Sequence, residues 1–164
     1  MNVTTIIILG LVMLFGGCQT VQVIEIESPY IYINLTEKKL YYNESIYNIS
    51  VGKEATKTPV GRGYVYEKRD SILFTYTTGK FKGYPIRYYT DKNGCRQKIP
   101  YKDMRALGIK INRTIRYAIH STTEEANIGK AISSGCIRMS IGDMLELYPK
   151  VEKGTIVIIS TNGS

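Results

Sequence analysis

The sequence predicts a mostly β domain with one or two short helices. Short runs of β-branched and aromatic residues recur between turn signals, and only one late segment has the pattern of a helix. Fourteen of the 164 residues are tyrosines, which favour half-buried strands because one end of the side chain is apolar and the other is hydrophilic. The hydrophobic fraction of 43% and the chain length indicate one globular domain with short appendages.

Residues 1–18 have the pattern of an export signal. The apolar run at 6–15 is too short for a membrane span, which needs about 20 apolar residues, and suits the centre of a signal peptide. Two glycines then precede Cys18, as in bacterial lipoprotein signals, in which that cysteine is lipidated. Phe15 stands where leucine is usual, and residues 1–5 have no Lys or Arg, so an uncleaved or conventionally cleaved signal stays open. Each alternative predicts export to the periplasm or cell envelope, and a lipid on Cys18 would anchor the protein to the membrane.

A short tether at 19–27 leads into a predicted domain at 28–164, whose strands have alternating or β-branched residues. We predict them at 31–35, 40–42, 46–51, 63–68, 71–76, 86–89, 114–120 and 155–159. Glycine and proline mark residues 52–61 as a loop, in which Thr58-Pro59-Val60-Gly61 is typical of a rigid turn.

One α-helix is predicted to begin at Ser140. The stretch Ser140-Ile141-Gly142-Asp143 matches a capping box, with Asp in place of Glu or Gln at its last position. Pro149 ends this helix. A second, shorter helical turn is predicted from Tyr101 to Leu107, and Gly108 is its expected end.

The chain is basic, with a net charge of +8. Such a charge attracts nucleic acid, anionic wall polymers or lipid head groups, and a solvated lysine-rich surface explains it equally well. The sequence has no zinc-ligand spacing, no phosphate-binding glycine pattern and no RNA-binding aromatic motif. We therefore predict no metal site, no organic cofactor and no nucleic-acid partner, and we expect a monomer.

Cys136 and His120 are a candidate nucleophile and base. A thiol with its ordinary pKa of about 8.5 is mostly protonated at neutral pH, so a nucleophilic cysteine needs a base or a positive neighbour. His120 is the only histidine in the chain, and imidazole is the side chain whose ordinary pKa suits that task. Because buried cysteines are commonly inert, the pair alone leaves a structural role open.

A disulfide between Cys95 and Cys136 is the main alternative to a reactive thiol. Exported proteins often pair their cysteines, and these two remain if Cys18 is lipidated. Cys95 lies in a predicted turn after Asn93-Gly94. We favour a free Cys136, because the residues around it match a catalytic pattern.

These motifs together resemble the L,D-transpeptidase catalytic domain of bacterial cell-wall enzymes, over residues 28–160. The matching pieces, in chain order, are Val51-Gly52-Lys53, Thr58-Pro59-Val60-Gly61, Ile119-His120-Ser121, Gly129, Ser133-Ser134-Gly135-Cys136-Ile137-Arg138-Met139 and Gly154-Thr155 with Val157 and Ile159. Ser134 departs from the pattern, because the family usually has a histidine before the glycine of the cysteine motif. The resemblance implies a β-sandwich and a site that works without a metal.

The resemblance also implies a transferase that acts on the stem tetrapeptides of peptidoglycan. Cys136 would attack the carbonyl before the terminal D-alanine, and His120 would hold the proton and pass it to the leaving amine. Ser121 matches the residue that helps to orient the imidazole. The backbone N–H groups of Gly135 and Cys136 would form the oxyanion hole.

Three further residues of the motif are expected near the substrate. Arg138 would bind a stem carboxylate with its forked donors, and a structural hydrogen bond to nearby carbonyls is the alternative. Ser133 and Ser134 would also contact the substrate. The acceptor stays open: a stem amine gives a 3→3 crosslink, water gives L,D-carboxypeptidase activity, and a protein lysine gives wall anchoring. Ser134 also keeps open a non-catalytic module that binds peptidoglycan.

Overall fold

The computed structural model describes residues 28–72, 80, 86, 88–90, 93–112 and 115–161, and the predicted signal and tether lie outside them. The strands are β1 (Ile31–Asn34), β2 (Lys39–Tyr42), β3 (Ser45–Asn48), β4 (Val51–Gly52), β5 (Gly61–Asp70), β6 (Tyr88–Thr90), β7 (Arg96–Lys98), β8 (Arg105–Ile111), β9 (Ile115–Ser121), β10 (Ala131–Ser133), β11 (Ile137–Met139) and β12 (Ile156–Ser160). One α-helix, α1 (Ile141–Leu147), follows β11. The mostly β prediction is confirmed.

Eight strands form one sheet in the order β11-β9-β8-β5-β12-β1-β2-β3, and β4 with β10 and β6 with β7 form two small sheets. Within the large sheet, β11 joins β9 and β12 joins β1 in parallel, and the other neighbours are antiparallel. Just after β3, Ser50 pairs with Arg138 of edge strand β11 through two backbone hydrogen bonds of 2.9 Å. This bridge joins the two ends of the sheet, which therefore curls round the core as a barrel-like sandwich.

The core lies on the inner face of this sheet. Alternate strand residues point inward, and those that are fully buried include Ile31, Ile33, Leu40, Leu107, Ile109, Ile111, Ile119, Ile137 and Val157. Burying a side chain of this size contributes about 1.5–3 kcal/mol to folding. Helix α1 adds Met144 and Leu147, both at 0% exposure. None of the helices in the described part of the chain is long and apolar enough to cross a membrane.

The predicted start of the helix is confirmed. The Ser140 hydroxyl accepts a hydrogen bond of 3.0 Å from the N–H of Asp143, as an N-cap does. The helix ends at Leu147, and Pro149 lies in the short 3-10 turn Tyr148–Lys150 that follows.

The helical turn predicted from Tyr101 to Leu107 is wrong in its second half. Residues 101–103 form only a tight turn. Strand β8 begins at Arg105 and runs through Gly108. A Cβ atom at Gly108 would lie 3.0 Å from the ring of Tyr66, which covers this glycine from strand β5. The glycine therefore makes room for an aromatic ring and does not end a helix. Of the strand predicted at 71–76, residues 71 and 72 are not in a strand and the rest lie outside the described residues.

Candidate active site

Two neighbouring parallel strands bring His120 and Arg138 together. In the pairing of β9 with β11, Ile137 lies opposite Ile119 and Arg138 lies opposite His120. Both isoleucines are fully buried in the core, so the alternation of side chains directs His120 and Arg138 to the other face of the sheet. Cys136 comes directly before Ile137 and shares the alternation of Arg138. His120 and Arg138 are therefore neighbours at the edge formed by β9 and β11, and Cys136 lies directly before that edge strand in the chain.

Cys136 carries a free, half-buried thiol. Cys95 is exposed and is not bonded to Cys136, so the alternative of a disulfide between them is excluded. The prediction of an unpaired Cys136 is confirmed, and a thiol that is partly accessible is what a nucleophile requires.

The imidazole of His120 is oriented by the backbone of the next residue. Its Nδ1 atom lies 2.9 Å from the carbonyl oxygen of Ser121. A carbonyl only accepts, so this contact assigns the N–H to Nδ1 and the accepting lone pair to Nε2. The hydroxyl of Ser121 is engaged elsewhere: it accepts from the N–H of Arg105 at 2.7 Å and donates to the carbonyl of Arg105 at 3.1 Å. Ser121 thus meets the imidazole through its carbonyl, while its hydroxyl fastens β9 to β8.

The pKa of His120 is lowered. Burial is the largest cause, since it disfavours the charged imidazolium, and the positive charge of Arg138 acts in the same direction. The hydrogen bond to the Ser121 carbonyl opposes both effects. A lowered pKa keeps the imidazole neutral at neutral pH, which is the state that can accept the proton of a thiol.

The turn before Cys136 requires glycine at position 135 for two reasons. Gly135 has a φ of +111°, which lies in the region that side chains rarely adopt. A Cβ atom there would also lie 2.5 Å from a ring atom of Tyr117. The ring of Tyr117 therefore supports the turn from strand β9, a contact that the sequence did not reveal.

The N–H of Gly135, predicted as an oxyanion donor, already has an acceptor. It donates to the Ser133 hydroxyl at 3.1 Å, and that hydroxyl in turn donates to the carbonyl of Cys136. In the described part of the chain no hydrogen bond uses the N–H of Cys136. In this structure the N–H of Gly135 is thus engaged within the turn, and the N–H of Cys136 is the donor that stays a candidate for the oxyanion hole.

The two serines of the motif have different surroundings. Ser133 is 1% exposed, and its hydroxyl is used inside the turn, so the expectation that it contacts substrate is corrected: it supports the backbone around Cys136. Ser134 is exposed and accessible to a ligand.

Arg138 is held by one carboxylate, and its buried Nε atom has no partner among the described residues. Its Nη1 atom lies 2.9 Å from Oε2 of Glu124, a residue of the loop between β9 and β10 that the sequence analysis did not single out. Its Nε atom is buried and has no hydrogen-bond partner among the described residues. An unpaired buried donor is costly, so Nε is suited to an acceptor brought by a ligand.

No group of three or more His, Cys, Asp or Glu side chains in the described ranges is arranged to hold a metal ion. The acid–base and nucleophilic groups at the β9–β11 edge are a thiol, an imidazole and a guanidinium. These three groups suit acyl transfer through a covalent thioester.

This fold and site match one protein family. The family model YkuD, the L,D-transpeptidase catalytic domain, matches residues 28–159. The chain belongs to this family, and the resemblance found in its motifs is confirmed.

Curated relatives carry the same family name. The chain is 32% identical over 114 residues to "Putative L,D-transpeptidase YkuD" of Bacillus subtilis. This match covers 70% of this chain and 52% of that protein. It is 28% identical over 141 residues to "Putative L,D-transpeptidase YqjB" of Bacillus subtilis, covering 80% of this chain and 71% of that protein. The chain thus spans about half the length of the first relative.

Solved structures share the fold. The "Structure of the Ldtfm-avibactam carbamoyl enzyme" superposes with a TM-score of 0.59 at 26% identity, over 85% of this chain and 50% of that one. The "NMR structure of the catalytic domain from E. faecium L,D-transpeptidase acylated by ertapenem" gives a TM-score of 0.56 at 25% identity, over 83% of this chain and 99% of that one.

Proposed function

We propose that this chain is a cysteine L,D-transpeptidase that acts on peptidoglycan stem tetrapeptides through a thioacyl-enzyme on Cys136. One observation carries the proposal: Cys136, whose thiol is in no disulfide, directly precedes the strand that pairs with the strand of His120, and the Nδ1 of His120 contacts the Ser121 carbonyl. Burial lowers the pKa of His120, which favours the neutral imidazole. Family membership and the names of the relatives support this type of enzyme. The substrate follows from the family and the site is compatible with it.

In the first step, the thiol of Cys136 gives its proton to Nε2 of His120, and the sulfur attacks the carbonyl before the terminal D-alanine. A bond from sulfur to the carbonyl carbon forms, and negative charge develops on the oxygen beside the N–H of Cys136. When the C–N bond breaks, the imidazolium returns its proton to the leaving amine. The products are a thioester on Cys136 and free D-alanine.

In the second step, an amine attacks the thioester, its proton passes to Nε2 of His120, and the thiolate leaves and takes that proton back. A side-chain amine of another stem gives a 3→3 crosslink, and a protein lysine gives an anchored protein. Water as the acceptor gives L,D-carboxypeptidase activity. All three outcomes use the same Cys136 and His120, so we propose crosslinking or anchoring as the main activity and hydrolysis as the alternative.

Arg138 is the proposed site for a carboxylate of the stem. Its unused Nε and its Nη atoms form the planar fork that matches a carboxylate. Glu124 already neutralises part of its charge, so a substrate carboxylate would compete with Glu124 for the guanidinium. The exposed Ser134 is the proposed neighbour of the bound peptide.

The test is turnover of a disaccharide tetrapeptide by the full chain in detergent, read by mass spectrometry. We expect release of D-alanine and formation of a crosslinked dimer, with a covalent acyl adduct on the peptide that holds Cys136. Cys136→Ala should lower the rate at least about a thousandfold, since the covalent route is lost. Cys95→Ser is the matched control and should keep activity, because Cys95 is exposed and is not one of the motif residues.

Three other outcomes have distinct meanings. Dimer formation by Cys136→Ala protein would overturn the mechanism. D-alanine release without dimers would favour the carboxypeptidase. Retention on peptidoglycan without any release would favour the non-catalytic binding module that Ser134 suggests.

We also propose that the chain acts in the cell envelope after export, with Cys18 as the lipidated residue. A family that acts on cell-wall substrates and the signal-like residues 1–18 support this location. In that case Cys18→Ser should move the protein from the membrane fraction to the soluble fraction, and unchanged membrane retention would contradict lipidation.

A further inference from the structure

The loop that follows β4 is fastened to the turn that presents Cys136. Strand β4 pairs with β10, and beyond it the N–H of Lys53 donates to the carbonyl of Ser133 at 3.0 Å. The hydroxyl of Thr56 donates to the same carbonyl at 3.0 Å. Thr58, at the end of this loop, contacts the carbonyl of Gly135, two peptides further along the turn.

The neighbours of the Thr58 hydroxyl determine which hydrogen bond it accepts and which it donates. It accepts a hydrogen bond of 2.9 Å from the N–H of Gly52 and donates one of 2.9 Å to the carbonyl of Gly135. A hydroxyl has a single hydrogen, and the N–H of Gly52 cannot accept it, so that hydrogen must point to Gly135. Thr58 is only 4% exposed, so water does not replace this contact easily.

Holding the carbonyl of Gly135 also orients the N–H of Cys136. The two groups belong to one planar trans peptide, in which the C=O and the N–H point in opposite directions. Thr58 draws the oxygen toward the loop, and the N–H of Cys136 is thereby directed away from it. The N–H of Gly135 is bound to Ser133, so the N–H of Cys136 is the donor left for the oxyanion.

We propose that Thr58 is a positioning residue that sets the direction of this oxyanion donor. The inference rests on the proposed function and adds a role for Thr58-Pro59-Val60-Gly61 beyond a rigid turn. When sulfur attacks an acyl carbon, the carbonyl π electrons move to oxygen, and the N–H of Cys136 stabilises that charge only if it is aligned. Without the Thr58 hydroxyl the peptide is free to rotate out of alignment.

Two reagents separate this role from a general structural role. Ertapenem acylates a thiol by opening its β-lactam C–N bond, a step that passes through an oxyanion. Iodoacetamide alkylates the same thiol by displacing iodide and forms no oxyanion, so its rate reports only the access and thiolate fraction of Cys136. Both rates are read by mass spectrometry at the peptide that holds Cys136, in full-length protein with Cys95→Ser.

Thr58→Val should lower the rate of acylation by ertapenem about 10- to 100-fold, somewhat less than complete loss of an oxyanion donor. Alkylation by iodoacetamide should stay within about twofold, because the thiol and His120 keep their places. Thr58→Ser should restore acylation, since it keeps the hydroxyl. Thr56→Val is the matched control, because it removes a hydroxyl from the same loop without touching the peptide of Gly135. The carbonyl of Ser133 that Thr56 contacts keeps its hydrogen bond from the N–H of Lys53, so both rates should match wild type.

The outcomes are distinguishable. If the wild-type chain takes no ertapenem but its Cys136 is alkylated, the proposed function fails. If wild type is acylated and Thr58→Val is acylated equally fast, the positioning role is wrong. Equal losses of acylation and alkylation in Thr58→Val would also overturn it, because they indicate a distorted turn. If Thr58→Val does not fold, Thr58→Ala removes the hydroxyl without adding a methyl group against the buried backbone, and the same two rates decide.

Discussion

The two halves of the site are held in place by different kinds of contact. His120 and Arg138 are opposite residues of paired parallel strands, and their positions follow from backbone hydrogen bonds that any side chain would permit. Cys136 lies on a turn whose carbonyls and N–H groups are bound by the hydroxyls of Thr58 and Ser133. The proposed base His120 and Arg138 are therefore held by a pair of strands, or strand-held, and the proposed nucleophile Cys136 is held by a turn, or turn-held.

This difference has a consequence for substitution. A change in a strand-held residue should alter charge while the backbone stays in place, because the ladder between β9 and β11 does not depend on that side chain. A change in the turn should alter geometry, because single side chains carry its hydrogen bonds. Substitutions in the turn are thus expected to lower activity by displacing Cys136. Substitutions in the strand pair are expected to lower it by changing the charge around His120.

The largest effect is expected for Gly135→Ala in the turn. The new methyl group would lie 2.5 Å from the ring of Tyr117, and the φ of +111° adds backbone strain. Strained φ values cost about 1–3 kcal/mol each and overpacking costs a similar amount, so we expect a loss of about 2–6 kcal/mol in unfolding free energy. Chemical denaturation measures this loss, and ertapenem acylation of Cys136 should fall with it.

Gly129→Ala is the matched control for this prediction. Gly129 also has a positive φ, +86°, but a Cβ atom there would have no neighbour within 4 Å. It should therefore show only the backbone strain and keep acylation near wild type. Equal destabilisation by the two substitutions would show that the contact with Tyr117 does not restrict the turn.

The sequence was sufficient for the strand-held residues and for Cys136 itself, but not for the contacts that hold the turn. Alternating β-branched residues predicted the strand that ends in His120, and the cysteine motif predicted Cys136 and Arg138. The three-residue strands β10 and β11 were not predicted, because they are too short to show a period. Their pairing depends on β4 and β9, which are distant in the chain.

The turn depends on contacts that no local pattern carries. Thr58 binds Gly135 across 77 residues, and its neighbours in sequence indicate only a loop. Gly108 was misinterpreted for the same reason: its meaning comes from the ring of Tyr66, which packs on it from another strand. Likewise, a buried serine such as Ser133 has the same sequence signature as one that contacts substrate, and only its burial separates the two roles.

A smaller effect, on the pKa of His120, is expected for Arg138→Gln in the strand pair. Burial and then the charge of Arg138 lower this pKa, so removing the charge should raise it and leave the fold intact. The imidazole would then keep its proton to higher pH, and the acid limb of the rate of acylation should move to higher pH. Because the chain has one histidine, its proton NMR signal can be titrated directly, in a Cys136→Ala background that removes coupling to the thiol.

The same titration tests how the fold responds to pH. In wild type the folded state binds a proton on His120 less readily than the unfolded state, whose pKa is the ordinary value near 6.5. Stability is therefore complete above about pH 6.5 and falls as pH decreases toward the lower pKa of the folded state. Arg138→Gln should raise the pKa of His120 in the folded state, so the pH range over which stability falls should become narrower at its acid end. An unchanged His120 titration would show that the charge of Arg138 does not reach the imidazole.

The smallest effect, with the opposite sign, is expected for Glu124→Gln. Glu124 neutralises part of the Arg138 charge through a contact of 2.9 Å, but 58% of its side chain is exposed, and ion pairs of this kind contribute about 0–1 kcal/mol. Removing the carboxylate should leave stability almost unchanged while the guanidinium acts more strongly on His120, so its pKa should fall further in the same NMR titration. Opposite shifts of the His120 pKa in Arg138→Gln and Glu124→Gln, at nearly constant stability, would show that the strand pair acts on His120 through charge. Shifts of the same sign would indicate that both substitutions move the loop between β9 and β10 and that the pair, like the turn, acts through geometry.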